Sequence, residues 1–93
     1  MSKYRVGGKV RIKNRKWYNS LKSLNGIING AIIAFGFNTD MAKQCGKIGI
    51  ITNIFDTSYR GKIVKKYFLN IDGGEWSWSE DMFEPNNNIL EIE

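Results

Sequence analysis

Four aromatic side chains, Trp17, Tyr18, Trp76 and Trp78, are of the types that line a groove and stack bases or clamp a peptide. Trp76 and Trp78 stand two apart, so on a strand both indoles share one face. The competing reading places both in the core, or one in the core and one on its rim. Near the start, Lys9, Arg11, Lys13, Arg15 and Lys16 supply cations at close spacing, and several Lys or Arg on one face is what phosphate binding requires. A third set, Asp72, Glu75, Glu80, Asp81 and Glu84, could hold a cation or act as an acid–base pair. Its spacing matches no ligand loop, and Asp72 and Asp81 fit turn and first-turn positions instead.

Chemistry that needs other residues is excluded. The chain has no His and a single Cys, so it lacks the usual general base, Ser-His and Cys-His pairs, and Cys-rich zinc sites. Asn25-Gly26 and Asn29-Gly30 lack the Gly-Lys-Ser/Thr ending of a phosphate-cradling loop. Cys45 reads as a small hydrophobe with no neighbour that would activate it. The expectation is a non-enzyme with no catalytic residue, metal or cofactor.

The 93 residues suffice for one domain, and 42% hydrophobic content is that of a globular chain. No apolar run approaches the roughly 18 residues of a membrane span. Met1 to Arg5 show no apolar stretch with a cleavage site, so an intracellular protein is expected. Net charge is +5 but unevenly spread: residues 1–22 contain no acid and residues 70–93 no base. Either the first and last strands pair and their charges meet across the ladder, which is favoured, or the basic face takes nucleic acid or another polyanion.

The elements that must position these groups read as follows. Val6, Val10 and Ile12 alternate with Lys9, Arg11 and Lys13, giving a half-buried strand with a cationic outer face. Residues 14–38, with two Asn-Gly signals, read as a long loop or hairpin excursion. A single helical turn over Thr39 to Cys45, capped by Asn38 or Thr39, stops at Gly46. Lys47 to Phe55 is a β-branched strand with apolar residues on both faces, Asp56 to Gly61 a turn, and Lys62 to Asp72 a further strand. Asp72-Gly73-Gly74 turns into a short strand at Trp76–Ser79, followed by one helical turn and an edge strand ending at Pro85. This describes an all-β fold: a single five-stranded SH3-like barrel over residues 1–85, with a long first loop, one short helical turn and a C-terminal tail, 86–93.

Val6-Gly7-Gly8-Lys9-Val10-Arg11-Ile12, Gly46-Lys47-Ile48-Gly49-Ile50-Ile51, Tyr67-Phe68-Leu69-Asn70-Ile71-Asp72 and Trp76-Ser77-Trp78 resemble small SH3-like domains of the Mind-bomb and KOW kind. Trp17, Phe37, Met41, Cys45-Gly46-Lys47, Ile71-Asp72-Gly73-Gly74 and Trp78-Ser79-Glu80-Asp81-Met82-Phe83-Glu84 look more closely like a group of short, mostly uncharacterised phage and prophage proteins. The resemblance covers about residues 5–84. It implies the fold and a phage-encoded protein in the cytoplasm of a bacterial host but assigns no activity; with catalytic groups lacking, the expectation is a non-enzymatic binding module engaging a protein or nucleic acid. The alternative is an inhibitor of a host defence system that binds an effector protein or its signal molecule.

The excursion carries more apolar side chains than a surface loop needs. Ile27, Ile28, Ile32, Ile33 and Phe35 are therefore expected to form a contact surface for a host protein or a homodimer partner. On that expectation Ile28 and Ile32 are exposed, and changing both to Ser leaves stability nearly unchanged.

Overall fold

Alternation at the start of the chain produces β1 (Lys9–Arg11), with Val10 buried and Lys9 and Arg11 exposed. It pairs antiparallel with β2 (Ile48–Tyr59), setting Lys9 opposite Ile50 and Arg11 opposite Ile48. β2 turns directly into β3 (Lys62–Leu69) through Arg60 and Gly61, whose φ values of 53° and 83° are those of a two-residue hairpin turn. The turn expected over Asp56 to Gly61 is thus confined to two residues, and both strands run to its edge. The structure, a computed structural model, describes residues 4–84; the expected tail, with Ile89, Leu90 and Ile92, lies outside the described residues.

The five-stranded barrel is not formed. Among the described residues three strands make an open sheet in the order β1–β2–β3, and two short helices accompany it, so the fold is not all-β. The segments expected as fourth and fifth strands touch the sheet by one bridge each, Trp78 to Tyr67 on the outer edge of β3 and Phe83 to Ile12 beyond β1. The reason is length. Gly73 and Gly74, at φ 69° and 79°, coil the approach to Trp78, and a 3-10 turn at Glu80–Met82 fills the interval before Phe83. A segment that crosses from one sheet edge to the other in so few residues has none left for a ladder.

The excursion over 14–38 is also not all loop. It opens with α1 (Arg15–Leu21), where Asn14 Oδ1 accepts from Trp17 N–H at 2.9 Å. Arg15 and Lys16 stand at the positive end of the helix dipole and oppose it, so this short helix rests on tertiary packing of Trp17 and Tyr18. Beyond it, Ile28 and Phe37 exchange backbone hydrogen bonds at 2.8 and 3.0 Å, a single isolated bridge that closes the segment between them. The second helix, α2 (Thr39–Ala42), takes Asn38 as its cap.

Rings fill the centre. Phe37 meets Trp17, Tyr18 and Trp78 at centroid distances of 5.1, 5.7 and 5.9 Å, while Tyr67 packs edge-on against Phe83 at 5.5 Å. Trp78 is fully buried, and its indole N–H donates to Asp72 Oδ2 at 2.9 Å. The same carboxylate accepts from the backbone N–H groups of Gly74 and Trp76, so one side chain both shapes the turn after β3 and satisfies the buried indole.

Asp72→Ala is expected to cost about 2–3 kcal/mol, because the indole N–H is left buried without an acceptor. That lowers the thermal midpoint by roughly 10–20 °C for a domain of this size. In a Trp78→Phe background the same change should cost less, since no indole N–H remains; equal losses in both backgrounds, read by thermal unfolding, would count against the coupling. In the excursion, Ile28 is fully buried whereas Ile32 is 54% exposed. Ile28→Ser should therefore destabilise by about 3–5 kcal/mol and Ile32→Ser by less than about 0.5 kcal/mol.

Candidate functional site

Residues opposite one another in an antiparallel sheet point to the same side. Lys9 and Arg11 on β1 therefore share the outer face with Ile50 and Ile48 on β2. Alternation alone would put Ile48, Ile50, Thr52 and Ile54 on that face and turn Phe55 toward the core. Instead the register between β2 and β3 skips a residue, from Ile51 opposite Leu69 to Asn53 opposite Phe68. Thr52 is the extra residue of a β-bulge, and its hydroxyl donates to the Phe68 carbonyl at 3.2 Å. The phase reverses beyond it: Ile54 faces inward with buried Tyr67, and Phe55 faces outward opposite Lys66.

The outer face consequently holds Lys9 and Arg11, then Ile48, Ile50, Asn53 and Phe55, then Phe68 and Lys66, with Glu84 set opposite Arg11 at its edge by the Ile12–Phe83 bridge. Phe55 is 54% exposed and meets Phe68 edge-on at 5.8 Å. Ile48 and Ile50 are also exposed, so the apolar strip is open along β2. Arg11 Nη1 donates to the Gly46 carbonyl at 2.9 Å, which fixes where the guanidinium lies. At the far end the Lys66 ammonium sits 5.7 Å from the Phe35 ring, which in turn packs against Tyr59 at 5.1 Å. An aromatic pair and an aliphatic strip flanked by cations is an arrangement chemically able to take anions that carry flat or apolar groups.

The expected cationic set divides. Lys9 and Arg11 belong to this face; the Lys13 ammonium lies 5.4 Å over the Trp17 ring and the Arg15 guanidinium 5.6 Å from the Tyr18 ring, while Lys16 is exposed on α1. The expected aromatic groove is occupied by the protein itself. Trp78 and Tyr18 are buried, the Tyr18 hydroxyl donating to the Gly26 carbonyl at 2.6 Å, and Trp17 and Trp76 pack half-buried against the core. The expected partner surface also splits: Ile28 and Ile33 are core, Phe35 is half-buried, and Ile27 and Ile32 remain exposed.

Phe55, Phe68, Ile48, Ile50 and Lys66 were not singled out by the sequence. The available signal was the excess of apolar residues on both faces of the 47–55 strand and the shared face of Lys66 and Phe68; the bulge, which places Phe55 beside Phe68, leaves no mark in the alternation. A separate cleft of about 330 Å³ opens among Ala34, Ile63–Lys65 and Ser79–Asp81. Two of its charged groups are engaged, Glu80 Oε2 accepting from the Tyr67 hydroxyl at 2.6 Å and Lys65 paired with Asp56 at 2.7 Å. Among the described residues no group of three or more His, Cys, Asp or Glu side chains is placed to hold a metal ion, and no helix is long and apolar enough to cross a membrane.

No family model matches the chain, and neither a curated protein nor a solved structure is detectably similar to it.

Cys45 is half-buried against the core. Burial pushes its thiol pKa up, and the nearby Arg15 charge opposes that shift without cancelling it. Tyr4 is raised too, by burial and then by the Glu80 carboxylate. A raised folded pKa means that folding favours the protonated form, so stability from these groups is intact below their unfolded values and is lost as pH rises through the folded ones. Urea midpoints should hold steady up to about pH 8.5 and decline above it. Alkylation of Cys45 by iodoacetamide at pH 8 should be slower than that of an unstructured Cys peptide, and slower still in Arg15→Ser. Faster alkylation in Arg15→Ser would contradict this description of the thiol.

Proposed function

We propose that the protein is a non-enzymatic binding module that engages nucleic acid through the outer face of its sheet. The observation that carries this reading is the composition of that face: Lys9, Arg11 and Lys66 frame the Phe55–Phe68 pair, three cations about an exposed aromatic and aliphatic strip. A polyanion gains from each cation by releasing condensed counterions, and the chain's net charge of +5 favours encounter. The expected pairing of a basic first strand with an acidic last one is reduced to one bridge, which sets Glu84 opposite Arg11 at the edge of this face and leaves Lys66 at the other edge. Phe83 and Glu84 join β1 at its edge, with Glu84 N–H donating to the Arg11 carbonyl at 2.8 Å.

A second reading keeps a protein partner, which includes the phage-encoded inhibitor of a host defence effector. Its support is the apolar exposure of Leu24, Ile27 and Ile32 in the excursion. The two readings call on different residues. Titrating an oligonucleotide at several salt concentrations should give a linear fall of log affinity with log salt. Replacing Arg11 and Lys66 by Ser should weaken binding and flatten the slope by about one to two units, near one for each phosphate no longer neutralised. An unchanged slope would remove this face from the site. Loss of binding in Leu24→Ser and Ile32→Ser, with Arg11→Ser and Lys66→Ser unaffected, would move the contact surface to the excursion.

A further inference from the structure

Resting on the nucleic-acid reading of the same face, we infer that its substrate is single-stranded, with unpaired bases lying on Phe55 and Phe68 and the phosphates following the cations on either side. The inference comes from what stands between the cations. A duplex presents phosphates and groove edges to a protein and keeps the π-faces of its bases stacked inside, so a duplex-binding surface needs cations and polar side chains. Here the ground between Lys9 and Arg11 on one side and Lys66 on the other is Ile48, Ile50, Phe55 and Phe68. Against a duplex backbone these side chains would meet charged phosphate, whose hydration would be stripped without return. Unpaired bases, by contrast, offer flat apolar faces to them.

The geometry also gives the strip a direction. β1 supplies two cations at alternate positions, β2 the aliphatic row beside them, and the bulge at Thr52 carries the strip onto Phe55 and across to Phe68. Without the bulge Phe55 would face the core, and the strip would continue through Thr52 and Ile54 without an aromatic ring from β2. Beyond Lys66, the Phe35 ring continues the aromatic series. Phe35 is held at φ 71°, a conformation rarely adopted by a bulky residue, and packing against Tyr59 accompanies that placement. Asn53, opposite Phe68 on the same face, provides an amide able to both donate to and accept from a base edge.

The test is fluorescence anisotropy with a labelled mixed-sequence oligonucleotide of about twelve nucleotides, as DNA and as RNA, alongside the blunt duplex of the same sequence. Single strands should bind at least about ten-fold more tightly than the duplex. Phe55→Leu, which keeps an apolar side chain at an exposed position and removes the ring, should weaken single-strand binding by about five- to a hundred-fold, with the salt slope unchanged. Phe55→Trp should retain or strengthen it. Equal or tighter duplex binding, or full affinity in Phe55→Leu, overturns the single-strand inference and leaves the basic face as a polyanion site. Absence of binding to every oligonucleotide at low salt overturns the nucleic-acid reading itself. Thermal midpoints of the variants matching the parent protein assign any loss to the surface and not to the fold.

Discussion

The Asp72–Trp78 hydrogen bond is the interaction on which the arrangement of this chain depends. A sheet of three strands with only three residues in β1 has little ladder to hold it, so the edges must be tied by other means. Trp78 does so from the centre. Its backbone bridges the edge of β3 through Tyr67, its ring meets Phe37 at the base of the excursion, and its N–H is satisfied by the residue that shapes the preceding turn. Asp72 thereby links the end of β3, the double-Gly turn and the packing of α1 and the 28–37 segment, which converge on Phe37. Further along, Phe83 reaches the opposite edge beside Ile12, so a short crossing segment clasps an open sheet.

That clasp covers one face of the sheet and leaves the other outside. Once Tyr67, Leu69, Ile51 and Val10 are committed inward, their neighbours along each strand must point outward, and the Thr52 bulge decides which these are beyond the middle of β2. Exposing Phe55 and leaving Phe68 only half-buried forgoes part of the burial worth about 1.5–3 kcal/mol per large apolar side chain. A core that already holds Trp78, Phe37, Tyr67 and Phe83 has no further need of them. Their company on that face is Lys9, Arg11 and Lys66, cations on both edge strands. A surface that is apolar in the middle and positive at its margins is what ties the fold to the proposed function.

Local patterns were legible where one physical rule acted alone. Period-two alternation located β1 and its outward cations; Asn38 marked the start of α2; Asp72-Gly73-Gly74 marked the turn after β3. The misreadings have identifiable causes. α1 carries cations at the wrong end of its dipole and is too short to show a full apolar stripe, so Asn14 as a cap was its only local sign. The barrel was inferred from a count of strand-like segments, but whether a segment pairs over several residues or over one depends on the distance it must cross, which no local signal reports. The aromatic groove failed for a related reason: same-face spacing of Trp76 and Trp78 holds for a strand, and here a single bridge residue is flanked by turns. Ile28 and Ile33 were read as surplus because five strands would have filled the core; with three strands, the excursion supplies part of it.

Mapping the binding surface residue by residue tests the central claim most directly: a titration of the isotope-labelled protein with a single-stranded oligonucleotide, followed through its amide resonances. The outer face as binding surface requires shifts concentrated at Lys9, Arg11, Ile48, Ile50, Asn53, Phe55, Lys66 and Phe68, with the amides of Ile28, Phe37 and Trp78 unmoved. Shifts confined to Leu24–Ile33, or none on the outer face at saturating oligonucleotide, would contradict it.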